Sequence, residues 1–180
     1  MAKQKKRIIL TGAQGTGKTT LMNALAADGT KTLSIAREQA IEAGWSPETG
    51  SSEEYQKKLF AALLKAVSSK RNYVSDRGLS CVAAYTFDGA LNGSIKKKTA
   101  DSQYMKLVKF HAENPDVLLV YLPIEFELEN DGVRNSNKED QLKMDFLIKN
   151  LLDTSEVKYI TVTGTVEERV KQIEDYLKSI

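Results

Sequence analysis

Residues Gly12 to Thr19 read GAQGTGKT, which fits the spacing G-x-x-x-x-G-K-[ST]. Glycines let a backbone turn tightly and present successive N–H groups to an anion. A helix that opens near Gly17 aims the positive end of its dipole at the same point. Lys18 adds a cation that reaches β- and γ-phosphates, and Thr19 adds a hydroxyl able to ligate Mg²⁺. The flanks agree. RIILT (Arg7–Thr11) is a short buried-strand pattern, and KTTLMNALAA (Lys18–Ala27) is helical in composition. Strand, glycine loop and helix in this order make a nucleoside-triphosphate site, with contacts expected from Gly12, Ala13, Gln14, Gly15, Thr16, Gly17, Lys18, Thr19 and Thr20. The loop identifies binding and leaves the reaction open.

Other reactive types recur at the ends of expected strands. Asp76 and Arg77 follow NYVS (Asn72–Ser75), and Arg37 and Glu38 follow the weaker strand pattern of Lys31–Ile35. Arginine is scarce, with six in the chain, yet Arg37, Arg77 and Arg134 all fall at such places. A guanidinium fork suits phosphate geometry better than an ammonium does.

The elements that must position these residues alternate. Strand patterns at 7–11, 31–35, 72–75, 116–122 and 157–162 are interleaved with helical patterns. The amphipathic helix expected at Ser52–Ser69 carries Tyr55, Leu59, Leu63, Leu64 and Val67 at spacings of three and four. Further helices are expected at Leu79–Phe87, broken by a turn over Asp88–Gly93, and at Ala100–Ala112 with Asp101 as N-cap. Two more are expected at Lys138–Leu152, with Leu142, Phe146, Leu147 and Leu151 as its apolar stripe, and at Val166–Leu177. Five strands alternating with helices call for a three-layer α/β/α fold with a five-stranded parallel sheet. Ligands of such sheets sit at the carboxyl ends of the strands. That rim would gather Gly12–Thr19, Arg37/Glu38, Asp76/Arg77, the charged segment 123–137 and Gly164.

Composition bounds the rest. The 180 residues suit one domain, and 41% hydrophobic with 28% charged content fits a globular protein rather than a disordered one. The longest apolar run, around Val117–Tyr121, is too short to span a bilayer. The start, MAKQKKRII, lacks the long apolar stretch of a signal peptide, and Cys81 stands alone without an intrachain partner. A reducing compartment, the cytoplasm, is expected. A net charge of +2 creates no global field for polyanions, and the clusters Lys3/Lys5/Lys6/Arg7 and Lys96–Lys98 read as solvated surface.

Among users of the phosphate loop, a GTP switch needs N-K-x-D directly after a buried strand. Asn137 to Asp140 match those letters but lie far past the strand that ends near Leu122, and read as a helix start. A motor ATPase needs a long apolar strand ending in Asp-Glu, and none is present. A small-molecule kinase needs an acid at a strand end, arginines on the transferring group and a lid that excludes water. Asp76, Arg77, Arg134 and the segment 123–137 supply candidates for each part.

Here the residues reach a family. SDRGL (75–79) resembles the D/E-R-[STYG] element of deoxynucleoside and thymidylate kinases. The series GAQGTGKTT, AREQA (36–40), SDRGLS, NDGVRN (130–135) and VTGTVEERV (162–170) resembles the ribosylnicotinamide kinase domain and its P-loop relatives, often encoded by bacteria and phages. The resemblance implies a single P-loop kinase domain over 1–180 with a short lid at about 123–137. It implies phosphoryl transfer from ATP·Mg²⁺ to a nucleoside or (deoxy)nucleoside monophosphate. Lys18, Asp76, Arg77 and Arg134 would then be catalytic, with Thr19 and Asp76 on Mg²⁺. Arg37, Glu38, Trp45 and Arg77 would face the acceptor, and Gly164 and Thr165 would border the adenine. One departure stands out: relatives often carry a carboxylate where this chain has Ser34, which leaves Asp76 and Glu38 as the candidate bases.

Several residues carry plainer readings. His111 is expected in packing or at the surface, and Cys81 in a helix core. Trp45 either stacks an acceptor base or covers the core. Glu125, Glu127, Glu129 and Asp131 alternate with Phe126 and Leu128, as on a solvated strand face. Two alternatives stay open: a kinase acting on a modified base or end of DNA, with Lys96–Lys98 on a backbone, and a P-loop ATPase coupled to a protein or DNA partner. A homodimer is compatible with the sequence.

Overall fold

The computed structural model describes residues 6–35, 38, 42, 52–125 and 138–180. Five strands run through it: β1 (Arg7–Thr11), β2 (Lys31–Leu33), β3 (Tyr73–Ser75), β4 (Val117–Tyr121) and β5 (Ile160–Thr161). Six helices are present among the described residues: α1 (Lys18–Leu25), α2 (Glu53–Val67), α3 (Leu79–Leu91), α4 (Lys97–Glu113), α5 (Lys138–Thr154) and α6 (Val166–Ser179). The sheet is parallel throughout, in the order β2-β3-β1-β4-β5. The expected α/β architecture with five parallel strands is therefore present.

Alternation along the central strands divides the core in two. Ile9, Leu119 and Tyr121 point into one cluster, with Leu59 and Leu63 of α2, Val82 of α3, Leu107 of α4 and Ile148 of α5. Ile8, Leu10, Leu118 and Val120 point into the other, with Leu21 and Met22 of α1 and Ile173 of α6. A strand buried on both faces reads as a continuous apolar run, as RIIL and VLLVY do. Among the described residues two helices thus cover one face and four the other, which makes three layers.

The strand ends set the rim. Leu122 N donates to Thr11 O at 2.8 Å, Val162 N to Tyr121 O at 3.1 Å and Asp76 N to Leu33 O at 3.2 Å. These bonds carry the ladder one residue past β4, β5 and β3. The first loop residues after each strand are thereby held at fixed height along one edge.

Four local expectations change. α3 continues through the expected turn to Leu91, because Gly89 lets Ile95 pack against it; an added Cβ would sit 2.5 Å from Ile95 Cδ1. α4 starts at Lys97 and not at Asp101, with no local side-chain cap. Glu53 of α2 supplies the cap from a distance, accepting from Lys96 N at 3.2 Å and Thr99 Oγ1 at 2.7 Å. The buried stripe of α5 is Gln141, Met144, Ile148, Leu151 and Leu152, whereas Leu142 and Phe146 are 53% and 65% exposed. Arg7 is not solvated surface: it is 1% exposed and bonds Asp116 at 2.8 Å and the Val67 carbonyl at 3.2 Å.

Candidate functional site

β1 leads straight into the glycine loop. Gly12 has φ +145°, and a Cβ there would stand 2.3 Å from the Leu122 carbonyl oxygen. Only glycine fits between β1's exit and β4's exit. Gly15 and Gly17 also have positive φ, 76° and 84°, and Gly17 is the N-cap of α1 without a side-chain cap. The first-turn N–H groups of α1 therefore depend on a ligand or solvent for partners. Thr16 is buried and its hydroxyl donates to Ala13 O at 2.9 Å. Lys18 Nζ folds into the loop, donating to Ala13 O and, at 3.2 Å, to Thr16 Oγ1. Thr19 and Thr20 are exposed on the outer side. Gln141 of α5 donates to Gln14 O at 2.8 Å and fixes the crest of the loop.

β3 brings the second part. Thr19 Oγ1 lies 3.4 Å from Asp76 Oδ2, and Ser34 Oγ lies 3.3 Å from the same oxygen. Asp76, half-buried, thus meets the hydroxyl at the start of α1 and the hydroxyl that ends β2. Arg77 follows it, with its carbonyl held by Ser75 Oγ at 2.9 Å. The charge of Arg77 is felt on two sides. It opposes the burial that raises the Tyr55 hydroxyl in α2, and it acts on Cys81 in α3. At Cys81 burial pushes the thiol up. Lys18 and Arg77, with hydrogen bonds to Thr11 and Gly12, more than offset it, so the thiol ends below its ordinary range. Both cations thus act on the same buried thiol.

A third part lies behind the loop, and its central arginine is not among the candidate site residues read from the sequence, although it falls within the VTGTVEERV stretch. Arg169 of α6 is 2% exposed, and its Nη1 donates to Thr16 O at 2.7 Å. Its Nη2 pairs with Glu125 Oε2, and the carboxylate of Glu125 also accepts from Gly164 N at 3.1 Å. Glu125, itself exposed, is therefore engaged by a buried arginine and a backbone N–H and is not only a solvated strand residue. Thr165 is the N-cap of α6 and forms a reciprocal capping box with Glu168. Its hydroxyl is occupied by that cap.

On α5, Asp145 accepts from Tyr121 Oη at 2.9 Å. Burial holds its carboxyl above the usual range, partly offset by the Tyr121 bond and the charge of Lys18. The structure brings Gly12–Thr20, Ser34, Asp76, Arg77 and Gly164 to one rim. Glu38 is exposed, one helical turn past Ser34, whose carbonyl accepts from its N–H at 3.1 Å. Arg37, Trp45, Arg134 and the lid residues 126–137 lie outside the described residues. Cys81 is a core helix residue as expected, and His111 packs edge-on to Phe110 with ring centroids 5.0 Å apart.

The donor set suits a hard divalent ion carried in with a nucleotide. Mg²⁺ takes one or two carboxylates or hydroxyls and completes its shell with phosphate oxygens and water. Thr19 Oγ1 and Asp76 Oδ2, 3.4 Å apart beside the loop, are such a pair. Among the described residues no cluster of three or more His, Cys, Asp or Glu is arranged to hold an ion by itself.

Fold and glycine loop together define a small P-loop α/β domain. A model of the AAA domain family matches residues 7–169, and the chain belongs to that family. No curated protein matches it by sequence. Among solved structures, NadR in complex with NAD and AMP-PNP superposes with TM-score 0.69 at 14% identity, covering 97% of this chain and 50% of that one. The chain thus spans about half the length of NadR. Deoxyadenosine kinase from M. mycoides matches with TM-score 0.64 at 13% identity, covering 96% of this chain and 98% of the kinase. Shikimate kinase from Acinetobacter baumannii, in complex with shikimate, matches with TM-score 0.63 at 20% identity, covering 98% and 95%. At these identities the likeness concerns the fold. Among the described residues no helix is long and apolar enough to cross a membrane.

Proposed function

We propose that residues 1–180 form one P-loop kinase domain, acting in the cytoplasm, that transfers the γ-phosphoryl group of ATP·Mg²⁺ to a nucleoside or (deoxy)nucleoside monophosphate. The observation that carries the reading is the 3.4 Å approach of Asp76 to Thr19, with Arg77 the next residue of the chain. P-loop ATPases share an acid beside the loop hydroxyl for Mg²⁺, so what favours transfer to an acceptor is the arginine that follows that acid directly at the strand end. A kinase uses both: the acid beside metal and acceptor, the guanidinium on phosphoryl oxygens.

In this reading the loop amides and Lys18 hold the β- and γ-phosphates. Lys18 exchanges its bonds to Ala13 and Thr16 for charge-assisted ones. Thr19 and Asp76 would hold Mg²⁺, which would supply positive charge beside the transferring group. Arg77, joined by Arg134 from the lid, stabilises the in-line transfer, and Arg37, Glu38 and Trp45 border the acceptor. Gly164 and Thr165 line the base side of the donor pocket, Thr165 through its backbone since its hydroxyl caps α6. The general base is Asp76 or Glu38. The likeness to NadR and to deoxyadenosine kinase supports an acceptor of nucleoside type.

A P-loop ATPase coupled to a partner is the second reading, favoured by the family's description as an AAA domain. ADP release measured with and without each acceptor separates the two. The kinase reading predicts ADP formation that depends on one small acceptor, in equal amount with a phosphorylated product. Acceptor-independent ADP release, stimulated by protein or DNA, would overturn it.

A further inference from the structure

We propose that Arg169 and Glu125 are positioning residues for the donor nucleotide, a brace that joins the phosphate loop to the loop after β5. The proposal rests on the reading of residues 164–165 as the base side of the donor pocket. Arg169 is 2% exposed although it carries a full charge. A buried charge is costly unless it is paired and hydrogen-bonded. Here its fork is divided between two segments that leave the same edge of the sheet. Nη1 donates to Thr16 O at 2.7 Å, and Nη2 pairs with Glu125, which follows β4.

The effect on the loop follows from peptide geometry. The carbonyl of Thr16 and the N–H of Gly17 belong to one planar trans unit and point in opposite directions. Anchoring that carbonyl on Arg169 therefore fixes the Gly17 N–H pointing away from the guanidinium. Gly17 completes the fit: a Cβ there would lie 3.3 Å from Arg169 Nη1, so a side chain would press on the guanidinium.

The other end is pinned in the same way. Gly164 N donates to both carboxylate oxygens of Glu125 at 3.1 Å. The carbonyl of the same peptide unit, that of Thr163, accepts from Gln172 Nε2 at 2.8 Å. The peptide 163–164 is thus held at both of its polar atoms, and one carboxylate connects it to the arginine that holds peptide 16–17. The phosphate-binding and base-side loops, about 150 residues apart in the chain, form one unit. Preorganisation of this kind raises ligand affinity by removing the cost of ordering the loops.

The test titrates Mg²⁺·AMP-PNP and Mg²⁺·tripolyphosphate into the wild-type chain, Arg169→Lys and Glu125→Ala, with the unliganded Tm of each. Arg169→Lys keeps the charge and loses the fork; it should weaken both ligands about tenfold, the worth of one charge-assisted hydrogen bond. Glu125→Ala frees the base-side loop and also takes the counter-charge from Arg169, whose bond to Thr16 O remains. It should weaken AMP-PNP at least about tenfold and tripolyphosphate less, by about threefold. Variants with lowered Tm that bind both ligands as the wild type does would assign the pair a purely structural role and overturn the proposal. Equal loss of both ligands in Glu125→Ala would overturn its base-side half. A wild-type chain that binds neither ligand overturns the donor-site reading itself, and this inference with it.

Discussion

The carboxylate of Asp76, one residue past β3, stands 3.4 Å from the hydroxyl of Thr19, in the first turn of α1. The two residues are 57 apart in sequence. They meet because β3 pairs with β1 in parallel register, Ile9 opposite Ser75, so β3 stops two residues short of β1's end at Thr11 and Asp76 leaves the sheet on the same rim as the loop that follows β1. Asp76→Asn keeps the shape and the acceptor oxygen while removing the charge. It should lower kcat about 10²–10⁴-fold with Tm unchanged, and raise the Mg²⁺ concentration needed for half-maximal rate. Full activity in Asp76→Asn would move the base assignment to Glu38.

Lys18→Ala removes the cation of the phosphate loop. Its hydrogen bonds to Ala13 and Thr16 are local to the loop, so the fold should persist, with Tm close to wild type. Turnover should fall about 10³-fold or more, because charge developing on the transferring group loses its nearest counter-charge. Substantial residual kcat, measured by ADP release, would sink the phosphate-loop assignment.

Gly12→Ala tests the junction between β1 and β4. The new Cβ meets the Leu122 carbonyl at 2.3 Å, and φ +145° is a conformation that L side chains rarely adopt. Backbone, not a flexible side chain, must move. The expected loss of unfolding free energy is at least ~2 kcal/mol by urea denaturation, with nucleotide binding lost alongside. Gly29→Ala is a useful control, since nothing lies within 4 Å of the added methyl there although φ is also positive.

His111 gives a pH dependence unconnected with the site. Burial lowers its imidazolium from 6.5 to about 4. Between these values the unfolded chain binds the proton and the folded chain does not, so stability falls as pH drops through this window. The loss is complete below about 4 and amounts to up to ~3 kcal/mol. Urea midpoints of wild type and His111→Leu, compared from pH 7.5 down to pH 4, should converge or cross as the wild type loses this contribution. A constant difference across the range would contradict it.

What could be read from the sequence was what local chemistry determines. The phosphate loop needs glycines, lysine and threonine within a few residues of a strand and a helix, so GAQGTGKT announces itself. The central strands are buried on both faces, so RIIL and VLLVY stand out. What stayed hidden depends on distant partners. Arg169 contacts Thr16 across 153 residues, and nothing in EERV marks that arginine as buried. Glu53 caps α4 from 43 residues away, which makes Asp101 look like the start when Lys97 is. In α5 two apolar stripes compete. Leu142 and Phe146 form one with good spacing, but the helix turns Met144, Ile148 and Leu152 to the core. Periodicity gives the helix and not its phase, because the phase is set by the face that meets α3.

Phosphoryl transfer is tested most directly with γ-labelled ATP and Mg²⁺ in the presence of a panel of acceptors. The panel comprises nucleosides including ribosylnicotinamide, each (deoxy)nucleoside monophosphate, and single- and double-stranded DNA with normal and hydroxymethylated bases. The account predicts that the label moves into one small nucleoside or nucleotide acceptor, and that Asp76→Asn and Lys18→Ala abolish the transfer. Label appearing only as free phosphate, whatever acceptor is present, would contradict it and assign Asp76 and Arg77 to a hydrolytic ATPase instead.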